Sequence, residues 1–219
     1  MTIVQRMQLI LIFLELSSFI TGLIYWKKVK NTVWQWFVVY LGFIVCGELI
    51  CYYLTYFTTH QAIVNKILNY IVIPAEFLFL YWLYYKHAQT KGSKRLIIAC
   101  FIIYIAGYTA DQCLFQGKKF IFDSVSYCLG NLLLLLAIVS FFIQFSKGDE
   151  ILQYKSSMIF WVSLGVLIFY LGTFPFFGLI HLLYDKYRPV FRYYTYFMFV
   201  FNWAMYFLFI VGFVKWKPR

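Results

Sequence analysis

The sequence predicts an all-α integral membrane bundle of seven transmembrane helices, and three observations predict it. First, 63% of the 219 residues are hydrophobic and only 12% are charged, where soluble domains carry about 25% charged residues. A soluble fold of this size has too much surface for its volume to hide that much apolar area, so lipid must cover part of it. Second, the apolar residues fall into seven runs of the length, about 20 residues, that a hydrocarbon core of about 30 Å requires. Third, Lys and Arg sit in short clusters at the ends of those runs, which is how membrane-flanking charge is distributed. The net charge of +11 therefore does not point to nucleic acid, since no continuous basic face and no reading motif accompany it.

The spans follow in order, as one domain over residues 1–219. The first, about residues 7–26, is longer than a signal-peptide core and lacks a small-residue cleavage site, so it is expected to stay as a span. Glu15 lies near its centre, with Gln8 and Gly22 seven residues away on either side. The second, about 34–57, carries Glu48, Tyr52 and Thr55 at i, i+4 and i+7, one face of a helix. The third, about 67–85, holds Asn69 and Glu76 seven apart, with Pro74 between them.

The fourth span, about 96–115, aligns Tyr104, Tyr108 and Asp111 on one side. The fifth, about 120–146, does the same with Asp123, Tyr127 and Asn131. The sixth, about 157–184, aligns Ser163, Tyr170 and His181 and contains Pro175 between Gly172 and Gly178. The seventh, about 190–214, has Arg192 near one end and Asn202 near its middle. Connectors are short, about ten residues at most, so no soluble domain is expected to carry out chemistry.

Lys and Arg count sets the expected orientation. Twelve follow spans 1, 3, 5 and 7, from Lys27 to Arg219, and seven lie on the other side, from Arg6 to Arg192. The positive-inside rule then places the N-terminus outside and the C-terminus in the cytoplasm. Trp26, Trp34, Trp36, Trp82 and Trp216 gather toward the cytoplasmic boundary, as interfacial anchors do.

Ionisable groups inside a span are costly and mark functional sites by default. Glu15, Glu48 and Glu76 lie at similar depth on three consecutive spans, each on a stripe of polar or small residues. No Lys or Arg shares that depth: Arg192 is about ten residues, roughly 15 Å, from the middle of its span. Lipid penalises lone carboxylates, and like charges add to the penalty. At least one is expected to be protonated, or a cation or cationic ligand neutralises the group. The competing reading makes each glutamate an interhelical hydrogen-bonding group. With Tyr52, Asn69, Tyr108, Asp111, Asp123, Asn131, Tyr170, His181 and Asn202, the three carboxyls form a candidate polar cavity opening outward.

Pro74 and Pro175 are the candidate hinges, because each lacks an N–H and frees the carbonyl four residues back, those of Tyr70 and Leu171. A static kink is the alternative. Most of the five cysteines read as small core residues; Cys113 and Cys128 fall toward one membrane face, where a disulfide is open but not expected.

Catalytic signatures are missing. There is no H-E-x-x-H and no G-x-S-x-G, and span 7 has no interior lysine to carry a Schiff base. No catalytic residues and no cofactor are expected, and the metal question stays open; a bound cation or lipid fits the carboxyls.

Three stretches carry a resemblance: Asn69, Pro74, Glu76 and Phe77 in span 3, the run from Phe160 to Gly172 in span 6, and the Asn-containing span 7. The chain resembles small seven-span proteins of Bacteroidota that occur alone or as the membrane module of sensor histidine kinases. The resemblance implies a sensory or regulatory role in a bacterial inner membrane. The chain ends at Lys217-Pro218-Arg219, so a kinase is expected as a separately encoded partner, beside membrane lipid and other membrane proteins, with oligomerisation open. The leading expectation is a sensor that binds a small ligand or cation. A proton- or cation-coupled transporter and a structural subunit of a membrane complex are the alternatives.

Overall fold

The computed structural model describes residues 2–58, 61–114 and 124–217, with backbone only for Leu114, Ser124, Asp149, Glu150 and His181. Its helices are α1 (Ile3–Ile24), α2 (Trp26–Val29), α3 (Trp34–Tyr53), α4 (Gln61–Ile67), α5 (Ile73–His87), α6 (Lys91–Leu114), α7 (Ser124–Lys147), α8 (Met158–Lys186) and α9 (Arg188–Lys215). Leu54–Thr58 and Leu68–Val72 are π-helical, and Asp149–Ser156 is a 3-10 segment. No β-strand occurs among the described residues.

Seven helical runs among those residues are long and apolar enough to cross a membrane: Ile3–Ile24, Trp34–Thr58, Gln61–His87, Lys91–Cys113, Val125–Lys147, Met158–Ile180 and Arg188–Lys215. The fold class is therefore an all-helical chain fit for a multi-pass membrane bundle. Large apolar side chains such as Phe13, Phe57, Leu171 and Phe207 stand exposed, as a lipid-facing surface requires. The third run begins six residues before the expected boundary at residue 67. Gln61, Asn65 and Lys66 dilute its apolar character, yet helical bonding continues through them.

Chain contacts divide the molecule into two compact units, residues 1–45 with 148–219, and Cys46–Lys147. In the first, α8 packs along α9 and α9 along α1. Small residues permit this. A Cβ on Gly165 would stand 3.1 Å from the Met205 main-chain oxygen, which cannot step aside. α1 opens with a capping box between Thr2 and Gln5 and buries Leu11, Ile12, Glu15, Ser18 and Gly22. Asn31, at φ 66°, turns the chain from α2 into α3; asparagine tolerates the left-handed region better than most residues. Trp34 is 6% exposed and meets Phe37 edge-on at 5.8 Å between ring centroids. It is a core residue, not the boundary anchor its position suggested; Trp36, 54% exposed, is free to play that part.

In the second unit, α5, α6 and α7 pack on one another. At one end Gln144 of α7 clasps the turn between α5 and α6: its Oε1 accepts from the main-chain N–H groups of Gln89 and Thr90 at 3.1 and 3.3 Å. Ser93 and Ser140 add a hydroxyl pair at 3.0 Å. All five cysteines are free thiols; Cys51 and Cys100 are buried, whereas Cys46 and Cys113 are exposed and so are not core residues as their small size suggested.

Candidate functional site

The third membrane run changes helix type halfway. The Ile73 N–H donates to the Leu68 carbonyl, five residues back, the π pattern rather than the α pattern. Pro74 follows at the second position of α5. A wide turn immediately before it lets the missing N–H go unneeded. The proline thus marks a change from π to α geometry in a helix that runs on. The seven-residue spacing of Asn69 and Glu76 presumes an unbroken α-helix, so their common face does not follow from that spacing here.

Neighbouring side chains meet this segment. The Tyr108 hydroxyl of α6 donates to the Asn69 main-chain carbonyl at 3.3 Å. The Asn69 side-chain carbonyl, Oδ1, is buried and has no hydrogen-bond donor. Glu76 is half-buried in the first turn of α5, and its carboxyl interacts electrostatically with the Tyr104 phenol, as does Tyr108. Phe77, fully buried, lies 4.9 Å from Tyr104 and 5.6 Å from Tyr127 between ring centroids. Gly130 makes room for this ring group, and its carbonyl accepts from Tyr81 at 3.0 Å.

α3 meets the same segment one residue before Glu48. Gly47 lies so close to Val72 that a Cβ would stand 3.2 Å from its Cγ2. Glu48 itself is half-buried and interacts with the buried Cys51 thiol. Tyr52 is half-buried, its ring 4.7 Å from Tyr56.

The stripes read on spans 4 and 5 face inward. Tyr104 and Asp111 are buried and Tyr108 half-buried; Tyr127 and Asn131 are buried. Asp111 accepts a short hydrogen bond from the Ser126 hydroxyl, so this carboxyl is committed to joining α6 and α7. Asp123 lies outside the described residues.

The first unit buries polar side chains of its own. Glu15 is 2% exposed, and Ser18, Ser163, Tyr170 and Thr173 are as deeply buried. Asn202 is half-buried, and the side chain of His181 is outside the described residues. Pro175 lies within the continuous helix α8, exposed, as is Leu171 four residues before it. Glu15 therefore belongs to one unit and Glu48 and Glu76 to the other.

Among the described residues, no three His, Cys, Asp or Glu side chains gather as a metal site would need. Sequence reasoning missed Ser126, Gly130 and the π-helical geometry. Comparison with known proteins found no matching family model, no matching curated protein and no matching solved structure.

Proposed function

We propose that this chain is a polytopic membrane protein that binds a monovalent cation or small protonated amine beside the π-helical segment of its third span, and regulates a partner by doing so. One observation carries the reading: the buried Asn69 Oδ1 has no hydrogen-bond donor, in a helix segment of the kind that collects at functional sites. Leaving such an acceptor unmet costs about 1–3 kcal/mol. The Tyr108 hydroxyl reaches the main-chain carbonyl of the same residue, and Tyr108 and Glu76 both act electrostatically on the Tyr104 phenol. An unmet buried acceptor calls for an occupant that donates or is positive. A cage of several carboxylates, as hard divalent ions take, is not assembled among the described residues.

The Lys and Arg asymmetry supports a cytoplasmic C-terminus and an outward-facing N-terminus, in a bacterial inner membrane. The resemblance of spans 3 and 6 to kinase-linked seven-span proteins supports a sensory role with a histidine kinase as partner. A second reading, a small cation-coupled transporter, draws support from the same local departure from α geometry, since carriers bind their ions where helix geometry is interrupted.

The test is melting of the purified protein in detergent, followed by tryptophan fluorescence. Choline chloride is replaced at constant ionic strength by sodium, potassium or a series of primary amines. One of these should raise the melting temperature saturably; occupancy at 100 times Kd contributes about 2.7 kcal/mol. The rise should disappear in Glu76→Gln and in Asn69→Leu. No rise with any of these cations, or a full rise retained in Glu76→Gln, defeats the proposal. Uptake of the same cation into proteoliposomes would move the assignment to the transporter.

A further inference from the structure

A groove of about 200 Å³ runs between α5 and α6, lined by Leu78, Tyr81, Trp82, Tyr85, Ile97, Ile98 and Phe101. Both walls obey one rule. Leu78, Tyr81, Trp82 and Tyr85 fall at i, i+3, i+4 and i+7 of α5, and Lys94, Ile97, Ile98 and Phe101 at the same spacing of α6. Seven residues of helix give the groove a length of about 10 Å. Its floor is Tyr81 and Ile97, both buried, and its rims are Leu78, Tyr85, Ile98 and Phe101, all exposed. The one polar atom the floor could offer, the Tyr81 hydroxyl, is turned away and donates to the Gly130 carbonyl at 3.0 Å. Only its ring faces the groove, so the trough is apolar throughout.

The two ends differ. At the Tyr85 end the Lys94 ammonium sits 5.8 Å over the Tyr85 ring, which holds it at the mouth by cation–π attraction. Lys91 and Arg95 lie on the same turn of α6, exposed. Among the described residues nothing charged lines the rest.

We propose that this groove is a binding site for an anionic phospholipid, one acyl chain lying in the trough and the phosphate meeting Lys94 with Lys91 and Arg95. An apolar channel ending at a basic cluster matches a molecule with a long apolar tail and one negative head. Free phosphate would use the cluster and leave the apolar walls unexplained. A second copy of this chain, itself carrying +11, would bring like charge to the mouth.

Native mass spectrometry of the full-length protein, titrated with phosphatidylglycerol or phosphatidylcholine of identical acyl chains, tests this. One molecule of phosphatidylglycerol should bind in preference, and Lys94→Gln should weaken it about five-fold, the effect of one basic residue near a lipid surface, with phosphatidylcholine unchanged. Ile98→Trp and Leu78→Trp, at exposed positions on opposite rims, should each fill the trough and weaken both lipids while the melting temperature stays near wild type. Equal affinity for the two lipids, phosphatidylglycerol binding indifferent to Lys94→Gln, or binding that survives both tryptophan variants would overturn the proposal. Displacement of the lipid by millimolar inorganic phosphate would assign the cluster to free phosphate and overturn it too.

Discussion

Gly130→Ala tests the link between packing and the polar site most directly. A Cβ on Gly130 would lie 2.8 Å from Tyr104 Cε2 and 3.0 Å from both Phe77 Cζ and Tyr104 Cδ2. Neither ring has an easy retreat. Phe77 is 0% and Tyr104 1% exposed, and Tyr104 is flanked by Tyr81 at 6.0 Å and Tyr108 at 6.2 Å. Overpacking such a place costs about 1–3 kcal/mol, against which alanine recovers about 0.5–1 kcal/mol of backbone entropy over glycine in a helix. The net loss is up to about 2.5 kcal/mol, or a fall of up to about 10 °C at 2–4 °C per kcal/mol. Gly92→Ala is the internal control. It lies near the start of α6 with nothing within 4 Å of a Cβ, so only the entropic gain applies and melting should rise slightly. The two alanines should therefore part, Gly130→Ala melting at or below wild type and Gly92→Ala slightly above it. Because Tyr104 borders Tyr108, whose hydroxyl reaches Asn69, Gly130→Ala should also shrink the cation-induced rise in melting temperature. If both variants melt higher than wild type, the three-ring packing around Gly130 is wrong and the argument tying it to the site falls.

Two further expectations concern the rest of the second unit and the topology. Gln144→Leu removes the acceptor for the Gln89 and Thr90 N–H groups; at about 1–1.5 kcal/mol for a lost hydrogen bond, hydrogen exchange of those two amides should quicken about ten-fold, and an unchanged rate would show that the clasp does not protect the turn. In a variant keeping Cys113 as its single cysteine, exposed near the end of α6, a membrane-impermeant maleimide should label intact cells from outside. Labelling only after the membrane is opened would invert the proposed orientation.

Much of the architecture was legible because the bilayer writes a coarse rule: a helix that spans it needs about 20 apolar residues. The inward stripes of spans 4 and 5 were legible for the same kind of reason, as Tyr104 and Asp111, and Tyr127 and Asn131, recur at helical spacing and are buried. Trp34 was misread because hydropathy gives depth along a helix and not which way a ring turns. Gln144 was passed over because its partners stand 55 and 54 residues away in sequence, and no local pattern encodes that pairing. The π-helical geometry was hidden for a deeper reason. Pro74 announces that the α pattern of bonding is interrupted, but the same residue is compatible with a kink, a broken helix or a widened turn.

That distinction bears on where function should be sought. Three carboxyls at one depth suggested a shared charge site, but depth along a span does not bring side chains together, and Glu15 belongs to a different unit from Glu48 and Glu76. A carboxyl can also be absorbed by the structure, as the Asp111–Ser126 bond between α6 and α7 illustrates. The π-helical segment is harder to account for as structure alone. It sacrifices favourable α-helical bonding, places the Asn69 main-chain carbonyl where Tyr108 can reach it, and still leaves the neighbouring Oδ1 buried without a donor. A helix stabilised only for its own sake would return to α geometry or replace Asn69 by leucine, which fills similar space and needs no partner. The unmet acceptor in the π-helical segment, more than the number of carboxyls, is therefore the argument that something binds there.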